Sequence, residues 1–300
     1  MGIADEWLAK IAKLKVDRAS GDPAPHKPLL LLVVLDIAAH GRLPAKVLPL
    51  TPELAFQFCT YWTVVAHRRK QRPDVRLPFH HLQNDGFWSC VAEDGNFTVD
   101  FRATRYAVLN LEFAAIANDS TFRDQARRLL IAKYFRPQER IALATLVGIP
   151  VPSVDDVSQI RESVEPDAAR KQGRDARFRL NVVAAYGYAC ALTGYRLTTI
   201  SGATIVDAAH IHQFANSRNN DVGNGIALCK NAHWLFDNGL WTLSDDYRVL
   251  VAVDNFSEDC ADQKALGAYN GQRIRLPSDK TLWPNQIKIA WHREHKFRTN

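Results

Sequence analysis

Three short blocks follow one another between Val206 and Gly239: Val206-Asp207-Ala208-Ala209-His210-Ile211-His212, then Asn224-Gly225-Ile226-Ala227-Leu228-Cys229, then Asn231-Ala232-His233-Trp234-Leu235-Phe236-Asp237-Asn238-Gly239. Together they read as strand, loop, strand, helix. Cleaving a phosphodiester needs an activated water, a cation to stabilise charge on the phosphorane and leaving oxygen, and a group that holds the base in place. One histidine at a strand end, an asparagine in the loop and a second histidine opening a helix can supply these parts. An isolated histidine is usually a structural or surface residue, and His212, His292 and His295 are read that way. His210 and His233 are not, because the blocks agree in order, spacing and predicted element. His212 shares the strand face of His210, which leaves a role touching DNA open.

These blocks closely resemble HNH endonucleases of the type with A-A-H-I, N-x-x-x-L-C and H-x-x-F-D-x-G segments, over about Arg174 to Leu243. The resemblance implies a ββα-metal nuclease domain. In it His210 is the general base that deprotonates water, Asn224 orients the loop and base, and His233 ligates a single divalent cation. The best-known form of the motif has an acidic ligand immediately before the first histidine, where this chain has Ala209. Side chains alternate along a strand, so Asp207 shares the face of Ala209 and is expected as the second ligand. Asp237 is read as structural, accepting hydrogen bonds near the metal-binding helix. The N and O ligands do not select among Mg²⁺, Mn²⁺, Co²⁺ and Ni²⁺. Many HNH proteins also hold zinc with two C-x-x-C pairs. Here each pair keeps one cysteine, Cys190 and Cys229, and two thiols cannot fill a tetrahedral shell unless a histidine joins them. No structural zinc is expected.

The rest of the 300-residue chain supplies a second domain. The periodicity predicts a helix near Ile3 to Val16, a Pro-rich turn at Asp22 to Pro28 and a buried helix to Ala39. A turn follows, then helical spacing from Thr51 to Arg69. Gly86 to Ala92 and Asn96 to Phe101 read as strands of a hairpin around Asp94-Gly95, with helices from Arg102 to about Leu146. From Gly148 to Gly173 the composition shifts to Pro, Ser, Asp and Glu, as in a solvated linker. The expected class is α+β: a mixed helical and strand DNA-reading domain at 1–150, a linker at 151–173 and the nuclease domain at 174–300. The apolar run Leu29 to Leu35 is far too short to span a bilayer. The opening MGIADEWLAKIAK is amphipathic and charged and lacks the apolar core of a secretion signal, and the five cysteines have no secreted-framework spacing. A cytoplasmic protein with reduced thiols and no membrane association is therefore expected. Its formal net charge of +6 favours a polyanionic partner.

Polar signals in the first domain cluster around His67-Arg68-Arg69-Lys70-Gln71-Arg72, around Arg76-Leu77-Pro78-Phe79-His80-His81-Leu82, and at His26-Lys27-Pro28. For the first run a solvated helix end is an equal reading. The H-K-P-L-L-L-L block and the P-F-x-x-L-x-x-D-G-x-W block from Pro78 to Trp88 resemble the sulfur-binding domain of McrA-type restriction enzymes, over about residues 1–150. Those enzymes recognise DNA carrying phosphorothioate linkages. Sulfur in place of a non-bridging phosphate oxygen is larger, more polarizable and a poorer acceptor, while the group stays anionic. A reader should therefore set an apolar pocket around sulfur and cations or donors around the oxygens. Pro78 and Phe79 offer apolar surface beside Arg76, His80 and His81, and His26 and Lys27 match polar positions near the DNA. An aromatic residue often precedes the proline in the resembling family, where this chain has Leu77.

The two resemblances together imply a type IV restriction endonuclease that acts on phosphorothioated double-stranded DNA. An HNH centre cuts one strand at a time, so a double-strand break calls for two centres, as in a homodimer. Two other readings remain: an HNH nuclease directed to methylated or unmodified DNA, and a non-catalytic DNA-binding regulator with a degenerate nuclease fold.

Overall fold

The amphipathic start of the chain forms α1 (Ile3–Ala12), which buries Trp7 and Ile11. A helix that is apolar all round must be buried. Leu29 to Leu35 is the middle of α2 (His26–Ala39), and every residue of the run is at most 1% exposed in the computed structural model. The model describes residues 2–19, 21–68, 73–150, 166–213, 219–260 and 263–298, so 69–72 of the basic run lie outside the described residues. Around α2 come β1 (Val47–Pro49), α3 (Pro52–Trp62), α4 (Arg76–His81), β2 (Trp88–Val91), β3 (Tyr106–Leu109), α5 (Leu111–Ile116), α6 (Ser120–Tyr134) and α7 (Pro137–Val147). Local chemistry sets several ends. The Thr51 hydroxyl accepts from the Leu54 N–H ahead of a Pro in the first turn of α3, and Gly148 closes α7 at φ 73°.

Asp36 is the charged group in the buried length of α2, and a buried carboxylate must be paired. Arg177 donates to it from both terminal nitrogens, at 2.9 and 3.0 Å, and Arg127 lies 3.7 Å away.

Two strand predictions need correction. Trp88–Val91 is a strand, but its ladder partner is β3, in the antiparallel order β1-β3-β2, with Cys90 and Leu48 both opposite Ala107. The stretch from Asn96 to Phe101 adds only the bridge Val91–Phe97, because Phe97 and Val99 are 74% and 91% exposed and have no core to cover. Tyr106–Leu109 falls in a stretch predicted as helix. Its burial alternates, with Ala107 and Leu109 inside, which is the period of a strand. Val47–Pro49 was read as turn and supplies the third strand.

The chain divides into two units, one formed by 1–177 with 199–203 and the other by 178–198 with 204–300. The division falls within α8 (Pro166–Ala185). Of the segment read as linker, 166–173 form the first turns of α8, and 151–165 lie outside the described residues. The second unit contains β4 (Val206–His210), β5 (Gly225–Cys229), α9 (Lys230–Asp237), β6 (Trp241–Leu243), β7 (Val249–Val251) and α10 (Gln286–His295). β4 and β5 form an antiparallel ribbon with Asp207 opposite Leu228 and His210 opposite Gly225, and α9 packs on both strands. The Trp241 indole donates to the Ala232 carbonyl at 3.1 Å and ties β6 to α9. His292 of α10 is a core residue: it is 2% exposed, stacks on Phe236 at 3.8 Å and bonds to the Thr242 hydroxyl and the Phe236 carbonyl. The segregation of helices and antiparallel strands along the chain is that of an α+β protein. No helix among the described residues is long and apolar enough to cross a membrane.

Candidate functional sites

In the second unit, His210 ends β4 with its ring stacked on Phe178 of α8, centroids 4.0 Å apart and planes 11° apart. Its Nε2 bonds to the Asn220 amide oxygen at 2.8 Å. An amide oxygen only accepts, so Nε2 is the donor of this bond. The ring is held on its face by Phe178 and on its edge by Asn220. Gly225, opposite His210, makes room for this arrangement. A Cβ there would lie 2.4 Å from Val182 Cγ2 and 2.9 Å from Phe178 Cζ.

Asn224 is 1% exposed and fully bonded. Its main-chain carbonyl accepts from the Ile211 N–H at 2.9 Å. Its side-chain oxygen accepts from the His212 N–H at 2.9 Å, and its amide donates to the carbonyls of His212 and Asn219 at 3.0 and 2.9 Å. The amide group thus behaves as one more peptide unit of β5, carrying the ladder one residue pair past His210. It bonds the loop and leaves no donor for a substrate.

His233 lies in the second turn of α9, and Asp237 one turn later brings Oδ2 within 3.3 Å of its Nε2. A carboxylate on one ring nitrogen leaves the other free for a cation, the arrangement in which metal-bound histidines are usually oriented. The donor chemistry therefore fits a divalent ion with open positions. Asp207, expected to share that ion, faces elsewhere: its Oδ1 accepts from Arg179 Nε at 2.8 Å and from the Ala208 N–H at 2.9 Å. Among the described residues no three His, Cys, Asp or Glu side chains converge as a ready-made metal cage. Cys190 and Cys229 hydrogen-bond to each other. Donors from Cys229 and Thr193 draw the buried Cys190 toward its thiolate, and the same contact pushes Cys229 up.

In the first unit a cavity of about 240 Å³ gathers four of the predicted residues, His26, Lys27, Pro78 and His81. Val16, Ala24 and Leu77 complete the apolar wall beside Pro78, and Lys15 and Asp17 reach its rim. Lys27 is fixed by a 2.7 Å ion pair with Asp85, whose other oxygen accepts from the Lys15 N–H. The His26 ring rests against Trp62 at 4.6 Å.

The remaining candidates are not on this wall. Phe79 is fully buried and packs on Trp88, whose indole donates to the Phe79 carbonyl at 2.7 Å. His80 is buried with Nδ1 on the Thr104 hydroxyl at 2.7 Å, and burial holds its pKa below the ordinary value. Arg76 forks onto Asp74 through Nε and Nη2, at 2.9 and 2.7 Å. In so short a helix as α4 side chains cannot all face one way: Leu77 and the buried Pro78 line the cavity, whereas Phe79 and His80 are buried away from it. Leu82, Asp85, Gly86 and Trp88 also serve the scaffold: Leu82 is core, and Gly86 turns the chain at φ 78°. Sequence reasoning missed Lys15 to Asp17, Ala24, Phe178 and Asn220. Only Phe178 carries a signal, since Phe178, Val182 and Val183 recur at helical spacing.

Residues 4–150 match the family model described as the ScoMcrA-like DNA sulfur-binding domain. Residues 190–244 match that of the HNH endonucleases. No curated protein matches the chain. Among solved structures, a modification-dependent restriction endonuclease, TagI, is similar at 21% identity and a TM-score of 0.31, over 41% of this chain and 38% of its own. The sulfur-binding domain of SprMcrA, solved with phosphorothioated DNA, is similar at 17% identity and a TM-score of 0.38, over 57% of this chain and 96% of that domain. The chain thus spans 38% of the TagI structure.

Proposed function

Because the chain joins a ScoMcrA-like DNA sulfur-binding domain to an HNH endonuclease domain, we propose that it is a type IV restriction endonuclease. The first unit binds phosphorothioated DNA and the second hydrolyses nearby phosphodiester bonds. The observation that carries this reading is the presence in one chain of an apolar-walled cavity that gathers His26, Lys27, Pro78 and His81 and of a histidine, His210, held at a strand end by Phe178 and Asn220. Pro78, Leu77, Val16 and Ala24 can receive a polarizable sulfur without asking it to accept strong hydrogen bonds. His26, His81, Lys15 and Lys27 supply donors and positive charge for the oxygens and the net anion. Contacts of this kind bind modified backbone with little regard to base sequence.

In the nuclease unit, His210 takes the proton of the attacking water while the bond from Nε2 to Asn220 fixes the ring. Asn224 holds the loop that presents the strand to be cut. A divalent cation at His233, when bound, would stabilise negative charge on the phosphorane and the leaving oxygen. His233 is oriented for this by Asp237, and Asp207, once released from Arg179, would be the second ligand. Mg²⁺, Mn²⁺, Co²⁺ and Ni²⁺ all suit these donors. Two such centres in a homodimer would break both strands.

Matched duplexes with and without a single phosphorothioate test the reading. Cleavage is expected only, or at least about tenfold faster, on the modified duplex, and equal cutting removes the specificity. The ligand assignment has its own test. Arg179→Ala frees the Asp207 carboxylate and should tighten metal binding several-fold by calorimetry. Unchanged affinity, with Asp207→Ala equally silent, would remove Asp207 from the shell.

A further inference from the structure

A second hollow of the first unit opens beside the cavity of Pro78. It is a groove of about 410 Å³, and Lys10, Lys13 and Lys15 line it together with Glu6, Asn84 and Asp85. Lys15 lines the groove and the cavity alike. The two are also tied through Asp85, one oxygen of which accepts from the Lys15 N–H at 2.9 Å and the other from Lys27 Nζ at 2.7 Å. A shared residue and a shared carboxylate fix the groove relative to the cavity.

Two of the three ammonium groups are held in place. Lys10 Nζ lies 3.8 Å from the centroid of the Trp7 ring, and Trp7 is itself buried against Phe87 and Phe113. Lys15 Nζ donates to the Asn84 carbonyl at 3.2 Å. An ammonium carries three N–H groups, so one such contact positions the charge and leaves donors over. Lys13, one turn after Lys10 at the end of α1, is exposed. Among the described residues none of the three side chains is paired with a carboxylate. Asp85 is balanced by Lys27, which leaves Glu6 as the acid beside three lysines. The dipole of α1 favours Lys10 and Lys13 at its C-terminal end. It does not account for Lys15, which lies past that end and lines the same groove.

We propose that Lys10, Lys13 and Lys15 form a subsite for a second backbone phosphate of the duplex, next to the modified linkage that the Pro78 cavity receives. This rests on the reading of the first unit as a binder of phosphorothioated DNA. Gathered cations call for an anion, and a groove continuous with the cavity meets the same anionic backbone. Lysines act on phosphates as point charges and read no base. The cavity distinguishes sulfur from oxygen, whereas the groove holds an ordinary phosphate and adds equal affinity to modified and unmodified DNA.

Fluorescence anisotropy with the full-length protein tests this on matched plain and phosphorothioated duplexes across a salt series. Lys10→Ala and Lys13→Ala should each weaken binding of both duplexes about three- to tenfold, and each should lower the slope of log Kd against log salt by about one. The ratio of the two Kd values should stay within about twofold of the parent, and Lys13→Arg should restore both. Lys133→Ala, at a residue that does not line the groove, should leave the slope unchanged. Unchanged affinity and slope in the double variant of Lys10→Ala and Lys13→Ala would overturn the subsite, as would an equal fall in slope for Lys133→Ala. A lost preference for sulfur would overturn it too, because the lysines would then belong to the cavity. If the parent protein binds both duplexes equally the sulfur reading fails, and the slope on plain duplex still decides the groove.

Discussion

In the second unit the candidate site residues lie close in sequence, on one ribbon and the helix that follows it, whereas the cavity of the first unit draws on three separate segments, 15–17, 24–27 and 77–81. The difference is one of what each motif encodes. The blocks around His210 and His233 spell out the candidate functional groups, and Phe178 and Asn220 hold the His210 ring in place. The block from Pro78 to Trp88 spells out mainly a scaffold. Phe79, Leu82, Asp85, Gly86 and Trp88 are spent on packing, a turn and an ion pair, and Pro78 is what that scaffold delivers to the cavity wall. A motif of the first kind names its reaction, and one of the second kind names its framework.

The contrast can be broken in order of size. His210→Ala should lower metal-dependent cleavage by about a hundred- to ten-thousandfold while leaving binding of phosphorothioated duplex unchanged. Retained cleavage would remove His210 as base, and lost binding would mean that the units do not divide the work.

A smaller effect separates the units by acid. Burial pulls the pKa of His292 from an ordinary 6.5 down to about 4, so the folded state binds fewer protons than the unfolded chain between these values. The stability this neutral histidine allows is complete above pH 6.5 and is lost progressively as pH falls toward 4, by roughly 3 kcal/mol. Hydrogen exchange should show the second unit opening first on acidification, and His292→Gln should flatten that dependence. His80 shifts in the same direction in the first unit, and earlier opening there would reverse the order.

The smallest change is Pro78→Ala, which removes two methylene-sized volumes from the cavity wall. The preference for phosphorothioate over plain duplex should fall about fivefold, measured as a ratio of Kd values. An unchanged ratio would move the sulfur contact away from Pro78.

The same contrast explains how much could be read without coordinates. The elements that carry His210, Asn224 and His233 were legible because strand and helix periodicity mark β4, β5 and α9 in one short stretch of chain. Pro78, His81, His26 and Lys27 were legible as a set because each sits in a recognisable block, although nothing local links the blocks. Phe79 and His80 were misplaced because a short helix turns by about 100° per residue, and adjacency in sequence does not mean a shared face. Lys15 to Asp17 lacked any signal, since a loop brought to a cavity by packing has no period of its own. Tyr106–Leu109 was read as helix because alanine and leucine suit both states, and the decision came from β1 and β2 on either side.

The Asn224 amide gives the length of the β4–β5 ribbon an unusual dependence. A β-ribbon normally ends where its main chains diverge, and moving that point takes an insertion or a deletion. Here the last rung is supplied by one side chain, so a point substitution changes where the ribbon stops. Aspartate would keep the acceptor but lose both donor bonds, and glutamine would keep the chemistry but overshoot by a methylene. The asparagine at this place is thus architecture within a single residue, a peptide bond turned sideways, and the course of the main chain at His212 depends on it.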